Sequence, residues 1–248
     1  MYYYENQNEP GVSALFPSLW ATPEELDRAA SSCLSRVFLR MFAALLVTAA
    51  ASFAVVEYTA LQAFIFNNTL VFYGLIIAEL ALVVAVSAGI NRLSPIAANL
   101  LFFAYAIING LTLSAIFFVY QLGIIFHAFA VTALMFAAMA LYGTITRRDL
   151  ASVGSLCFMG LFGVVIATIV NFFLRSDVID SIICYVGVVV FVGLTAYDTQ
   201  RIKRMLRDAN AASHVEAIQK ISVIGALSLY LDFINLFMKM LRILGKRK

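Results

Sequence analysis

The stretch GALSLYLDFINLFMKMLRILG, residues 225–245, sets an aspartate, an asparagine and a lysine inside an apolar run long enough to cross a membrane. Gly225, Ser228, Asp232, Asn235 and Lys239 follow one another at alternating steps of three and four, so they share one face of a helix. An ionisable group in a spanning helix costs about 2.5–3.5 kcal/mol on insertion scales. That face therefore points into a bundle, while Leu229, Phe233, Ile234, Leu236 and Phe237 are free to meet lipid or apolar neighbours.

The rest of the chain supplies the bundle. Hydrophobic residues make up 63% of the 248 and charged residues 12%, and the mean hydropathy is +0.94. No soluble domain of this size covers itself with so little polar surface, so lipid must cover it. Dividing the chain into runs of about 20 apolar residues gives spans at 37–56, 70–89, 96–118, 124–142, 153–173, 179–197 and 221–243. The fold is expected to be all-α and polytopic, with seven transmembrane helices. No proline falls inside a span, and Pro95 opens the third, so any hinge must come from glycine or polar residues. Gly160 with Gly163, and Ala133 with Ala137, are small residues at helical spacing that allow close helix approach.

Three regions follow. Residues 1–36 form an N-terminal tail with a short surface helix, opened by Thr22, Pro23 and Glu25 as N-cap, first-turn proline and capping-box acid. Residues 37–243 form the membrane domain, and 244–248 a basic tail. The charged link 201–220 is the one long loop, partly helical and extending both neighbouring spans. Arg28, Arg36, Arg92, Arg147, Arg148, Arg201, Lys203, Arg204, Arg207 and Lys220 fall on one side of the membrane and Arg175 on the other. The positive-inside rule then puts the N-terminus in the cytoplasm. Seven crossings put the basic tail outside, a tolerated exception to that rule unless the last segment is re-entrant.

The composition also excludes. A net charge of +3, with basic residues lying between apolar runs and no interleaved aromatics, argues against nucleic acid. Cys33, Cys157 and Cys184 lack zinc or disulfide spacing, and His127 and His214 are too few for a histidine-ligated centre. EF-hand, phosphate-loop, HExxH and GxSxG patterns are absent, so no ATP-driven pump, hydrolase or other enzyme is expected. No resident cofactor is expected either.

Buried polar residues are the candidates for function: Glu79 in the second span, Asp198 at the end of the sixth, Asp232 in the seventh, and Arg92 just beyond the second. Arg40 and Lys239 lie near span ends, where snorkelling accounts for them. Tyr105, Asn109 and Thr112 make a smaller polar seam on the third span, and Thr195 accompanies Asp198. Asn109, Thr112 and Ser228 read as interhelical hydrogen-bonding contacts, each contributing about 0.6 kcal/mol. A carboxylate is an expensive way to make such a contact, so the two aspartates read as functional and Glu79 stands between the two readings.

GLTAYDTQRIKRM at 193–205 and the 225–245 stretch together resemble the Bax inhibitor-1 family, and ELALVVAVSAGINRLSPIAANLLFFAYAIINGLTLSAIF at 79–117 is similar to spans two and three of its bacterial members. The resemblance implies seven helices with the last surrounded by the other six, in a bacterial plasma membrane. It implies a pH-sensitive calcium leak whose sensor is Asp198 with Asp232, latched to Arg92, with calcium as the permeant ion held weakly and transiently by the two aspartates. Glu79, Asn109, Thr112, Thr195, Ser228 and Asn235 would line the pore or seam. Two carboxylates in a low-dielectric cavity compete for protons as a coupled pair, so protonation would release Arg92 and free the second span. Other readings stay open: a scaffold that binds a membrane protease or a stress or death regulator, and a cation/proton exchanger, which lacks the expected inverted repeat. A retinal-type protein is poorly served, because Lys239 is the only lysine inside a span and sits near its end.

Overall fold

The computed structural model describes residues 22–90, 92–211 and 215–245. Among these the chain forms nine helices and no strand: α1 (Pro23–Glu57), α2 (Thr59–Phe66), α3 (Thr69–Gly89), α4 (Pro95–Leu113), α5 (Ile116–Val119), α6 (Leu122–Ile145), α7 (Ala151–Leu174), α8 (Asp177–Ala211) and α9 (Val215–Leu244). Seven segments are long and apolar enough to cross a membrane, with α4 and α5 together making the third and α2 lying between the first two. The tail 1–21, His214 and the basic residues 246–248 lie outside the described residues.

Local chemistry sets the helix ends. Thr22 accepts the Glu25 N–H at 3.3 Å while the Glu25 carboxylate accepts the Thr22 N–H at 2.8 Å, closing the expected capping box. The expected surface helix and first span are instead one helix of 35 residues; no glycine or proline between Pro23 and Glu57 gives it a place to stop. Ser94 caps α4 by accepting the Ala97 N–H at 3.2 Å, with Pro95 at the first helical position. In the α6–α7 turn, Asp149 accepts the Ala151 N–H at 3.0 Å and pairs with Arg204 at 3.2 Å. The Ala151 N–H first, and then Arg204, hold its carboxyl below the ordinary carboxylate range.

The charged link 201–220 is partly helical and extends both neighbouring spans, as expected. α8 runs on to Ala211 and α9 resumes at Val215, because the charged run carries good helix formers that need no apolar cover outside the membrane. Ion pairs of α8 then mark one end of the bundle: Arg207 with Asp27 at 3.4 Å and Arg204 with Asp149. Lys203 Nζ also donates to the Thr144 carbonyl at 3.1 Å there. At the opposite end Arg242 of α9 pairs with Asp180 of α8 at 2.9 Å. The last helix is therefore a full crossing of 30 residues, not a re-entrant segment, and its C-terminal end lies across the bundle from the start of α1.

α9 is the core of the bundle. In its most apolar window 67% of residues are buried, against 6% for α3. Leu229, Leu236 and Leu241 are wholly buried and Phe233 and Phe237 nearly so, so the apolar side of α9 meets protein rather than lipid. The principal neighbours of α9 are α8, α1, α6 and α4; α7 packs chiefly on α8, and α3 on α4. The expected ring of six is thus an inner ring of four with two helices outside it.

Glycine permits the tightest crossings. A Cβ on Gly143 of α6 would strike the Ala196 backbone of α8, and one on Gly110 of α4 would strike the α1 backbone at Thr48. Of the small residues expected to serve this purpose, Gly160 does face Val190 closely, but Gly163 faces open space and Ala137 is exposed.

Candidate functional site

The polar face of α9 turns towards α8, as its periodicity requires. Asp232 of α9 is 5% exposed and Asp198 of α8 is 6% exposed. Ser228, one turn before Asp232, donates its hydroxyl to Asp198 Oδ2 at 2.7 Å. Asp198 is the charged group whose field reaches Asp232, and Arg201, exposed one turn further along α8, is the cation whose field reaches Asp198. One oxygen of each carboxylate, Asp198 Oδ1 and Asp232 Oδ2, is buried with no hydrogen-bond partner among the described residues. Each such orphan is unfavourable by about 1–3 kcal/mol.

The other residues of this seam are placed differently. Thr195 and Thr199 are wholly buried but donate to the Phe191 and Thr195 carbonyls, each at 2.8 Å. Asn235 turns its amide back to the Leu231 carbonyl at 2.8 Å. The half-buried Lys239 lays its stem against Gly187 of α8, with its charge near Asp180 and Arg242, which is snorkelling along the seam rather than through lipid. Of the expected lining residues, Ser228 is the one that hydrogen-bonds to the aspartate pair. Arg92 is exposed in the α3–α4 turn, and its side chain makes no hydrogen bond or ion pair among the described residues; this conformation does not bring it to either aspartate.

A second polar network joins α3, α4, α9 and α1. Thr112 donates to Glu79 Oε1, and Asn109 stands within hydrogen-bonding reach of the same carboxylate. Tyr230 of α9 donates to Asn109 Oδ1 at 3.1 Å and shares a 2.6 Å hydrogen bond with Thr48 of α1, which also reaches the Ala106 carbonyl at 2.9 Å. Ser52, one turn on, donates to the Gly110 carbonyl at 2.6 Å. Glu79, Asn109 and Thr112 are legible in the sequence, whereas Tyr230, Thr48 and Ser52 are not singled out there. The available signal is the step of four from Thr48 to Ser52 in an apolar run, which puts two hydroxyls on one face.

Tyr230 is wholly buried, with the rings of Phe102 and Tyr105 edge-on at 5.8 and 5.7 Å. Tyr230→Phe, which keeps the ring and removes the hydroxyl, is expected to destabilise by about 0.6–1.7 kcal/mol. Tyr230→Ala, which also leaves a cavity, is expected to cost about 3–5 kcal/mol. Unfolding of the detergent-solubilised chain measures both; equal losses would show that the ring packing contributes nothing.

The family model described as inhibitor of apoptosis-promoting Bax1 matches residues 30–248, which takes in both networks, most of the first span and the whole of the other six. The chain belongs to the Bax inhibitor-1 family. Among its relatives, the inner membrane protein YbhL of Escherichia coli K12 is 46% identical over 215 residues, covering 87% of this chain and 92% of the relative. An uncharacterized protein of Borreliella burgdorferi is 41% identical with the same coverage. The uncharacterized protein RP147 of Rickettsia prowazekii is 38% identical over 86% of this chain and 89% of its own length.

This Bax inhibitor-1 family member is thus an integral membrane protein with an aspartate pair and a separate polar network, holding the one acid Glu79, about its central helix. Among the described residues no group of three or more His, Cys, Asp or Glu is gathered to hold a metal. The aspartate pair with Ser228 offers a few oxygens, short of the roughly 6–8 that a tight calcium site uses.

Proposed function

We propose that this Bax inhibitor-1 family member is a pH-sensitive calcium leak of a bacterial plasma membrane, with Asp198 and Asp232 as its sensor and as a weak, transient calcium site. One observation carries the reading: two neighbouring carboxylates in the spanning region each keep a buried oxygen without a partner among the described residues. Such a pair is poor as structural glue and apt for a passing cation. Too few oxygens for tight binding suits a conduit, since an ion must leave as readily as it enters. The inner-membrane relative supports the location, and the cluster of basic side chains where α1 begins supports a cytoplasmic N-terminus.

The latch belongs to a second conformation. α3 packs chiefly on α4 and on the short α2, and its polar link towards the central helix runs through Glu79 to Thr112 and Asn109 of α4, so a shift that loosens this link carries Arg92, at its end, towards the pair. An ionised aspartate holds Arg92; a proton on that carboxylate removes the charge and releases it. Acidification then favours the open state. Purified protein in liposomes loaded with a calcium indicator is expected to pass calcium faster as the pH falls. Absence of flux at every pH would sink the reading.

A further inference from the structure

Four buried side-chain polar atoms among the described residues have no hydrogen-bond partner. Two belong to the aspartate pair. The other two, Arg40 Nη1 and Asn99 Oδ1, belong to residues that border a single cavity of about 260 Å3 between α1, α4 and α9. Pro95, Ile96, Leu100, Gln219 and Val223 complete its lining.

The position of this cavity is specific. Arg40 lies near the membrane entry of α1, Pro95 is the first residue of α4, and Gln219 lies in the second turn of α9. All three are at the end of the bundle that carries Arg207, Arg204 and Lys203, the level where lipid headgroups lie. Arg40 is the only charged residue in the lining, and the first turn of α4 adds the positive end of a helix dipole. Ile96 and Leu100, one turn apart on α4, are 75% and 66% exposed and lead from the cavity along the hydrocarbon-facing side of that helix.

The two orphans make opposite demands, since a guanidinium N–H needs an acceptor and an amide oxygen needs a donor. Neither atom is open to the cavity as the side chains stand, so each side chain must turn its polar end inward, and a phosphate group with an attached hydroxyl or ammonium then supplies both. We infer that this cavity binds the phosphodiester headgroup of a membrane phospholipid, with the phosphate on Arg40, the headgroup hydroxyl or ammonium on Asn99, and an acyl chain along Ile96 and Leu100. At about 260 Å3 the cavity has room for a headgroup but not for a whole lipid, which is what an apolar track leading outward requires. Free phosphate shares the anionic chemistry but has no use for the track. The inference does not depend on calcium passage.

The test is native mass spectrometry of the full chain, delipidated in detergent and titrated in separate arms with phosphatidylglycerol, phosphatidylethanolamine and inorganic phosphate. One phospholipid per chain is expected to be retained. Arg40→Gln is expected to weaken retention by about tenfold or more, the loss of a charged hydrogen-bonding partner. Arg36→Gln, at an exposed arginine one turn away on α1, should leave it unchanged and shows that the fold survives loss of a charge there. Leu100→Trp, which obstructs the track, should weaken phospholipid but not inorganic phosphate. Retention unaffected by Arg40→Gln overturns the site, and binding of inorganic phosphate with no preference for phospholipid overturns the choice of ligand.

Discussion

Replacing Asp232 by leucine is expected to stabilise the folded protein by about 1–3 kcal/mol. The carboxylate is almost wholly buried, one of its oxygens has no partner among the described residues, and its charged neighbour is another acid, Asp198. Leucine has the same branched arrangement of side-chain heavy atoms, and it removes both the orphaned oxygen and the like charge. The midpoint of unfolding in detergent micelles should rise. Stability gained with activity lost is what a site retained for function shows on removal. A loss of stability of similar size would mean that the carboxylate holds the bundle together, and the functional reading of the pair would lose its footing.

Gly143→Leu is expected to have the opposite effect, at the upper end of the roughly 1–3 kcal/mol typical of overpacking, or beyond it. A Cβ at this position meets the Ala196 carbonyl and Cα of α8. Backbone cannot rotate out of the way as a side-chain tip can, so α6 must move away from α8 as a unit. Ala196 stands two residues before Asp198, so the displacement reaches the aspartate pair as well. Low yield of folded protein and a lowered unfolding midpoint are the expected readouts. Gly163→Leu, where a Cβ meets nothing within 4 Å, serves as the comparison and should stay within about 0.5 kcal/mol of the parent.

The fold was largely legible because lipid imposes a length and a composition on every crossing helix, and seven runs meet both. The helix ends were less so. The surface helix and first span merge since the polar residues from Ser31 to Arg36 interrupt hydrophobicity without interrupting the helix. Charge marks 201–220 as the one long link, and helix propensity lets α8 run on to Ala211 and α9 begin at Val215 within it. At the site, the steps of three and four from Gly225 to Lys239 placed Asp232 and Ser228 on the inward face, and Ser228 duly meets Asp198. Periodicity did not reveal which hydroxyls and amides turn back on their own helix, as those of Thr195 on α8 and Asn235 on α9 do, because that choice depends on local rotamers.

Tyr230 was hidden for a different reason. On an apolar face a tyrosine is indistinguishable from core until its partners Thr48 and Asn109, on two other helices, are known. Arg40 and Asn99 likewise become notable only once both border one cavity. Arg92 came from family resemblance rather than from periodicity, and from its exposed place in the α3–α4 turn the proposed latch requires a conformational change.

The most direct measurement is calcium entry into liposomes containing the purified chain, followed against pH for the parent protein, Asp198→Asn and Asp232→Asn. Asparagine keeps the size of the side chain and removes its ability to lose a proton. The parent flux should rise on acidification, and each substitution should flatten that response while leaving the protein folded. Substituted proteins whose flux follows pH as the parent's does would contradict the assignment of Asp198 and Asp232 as the sensor.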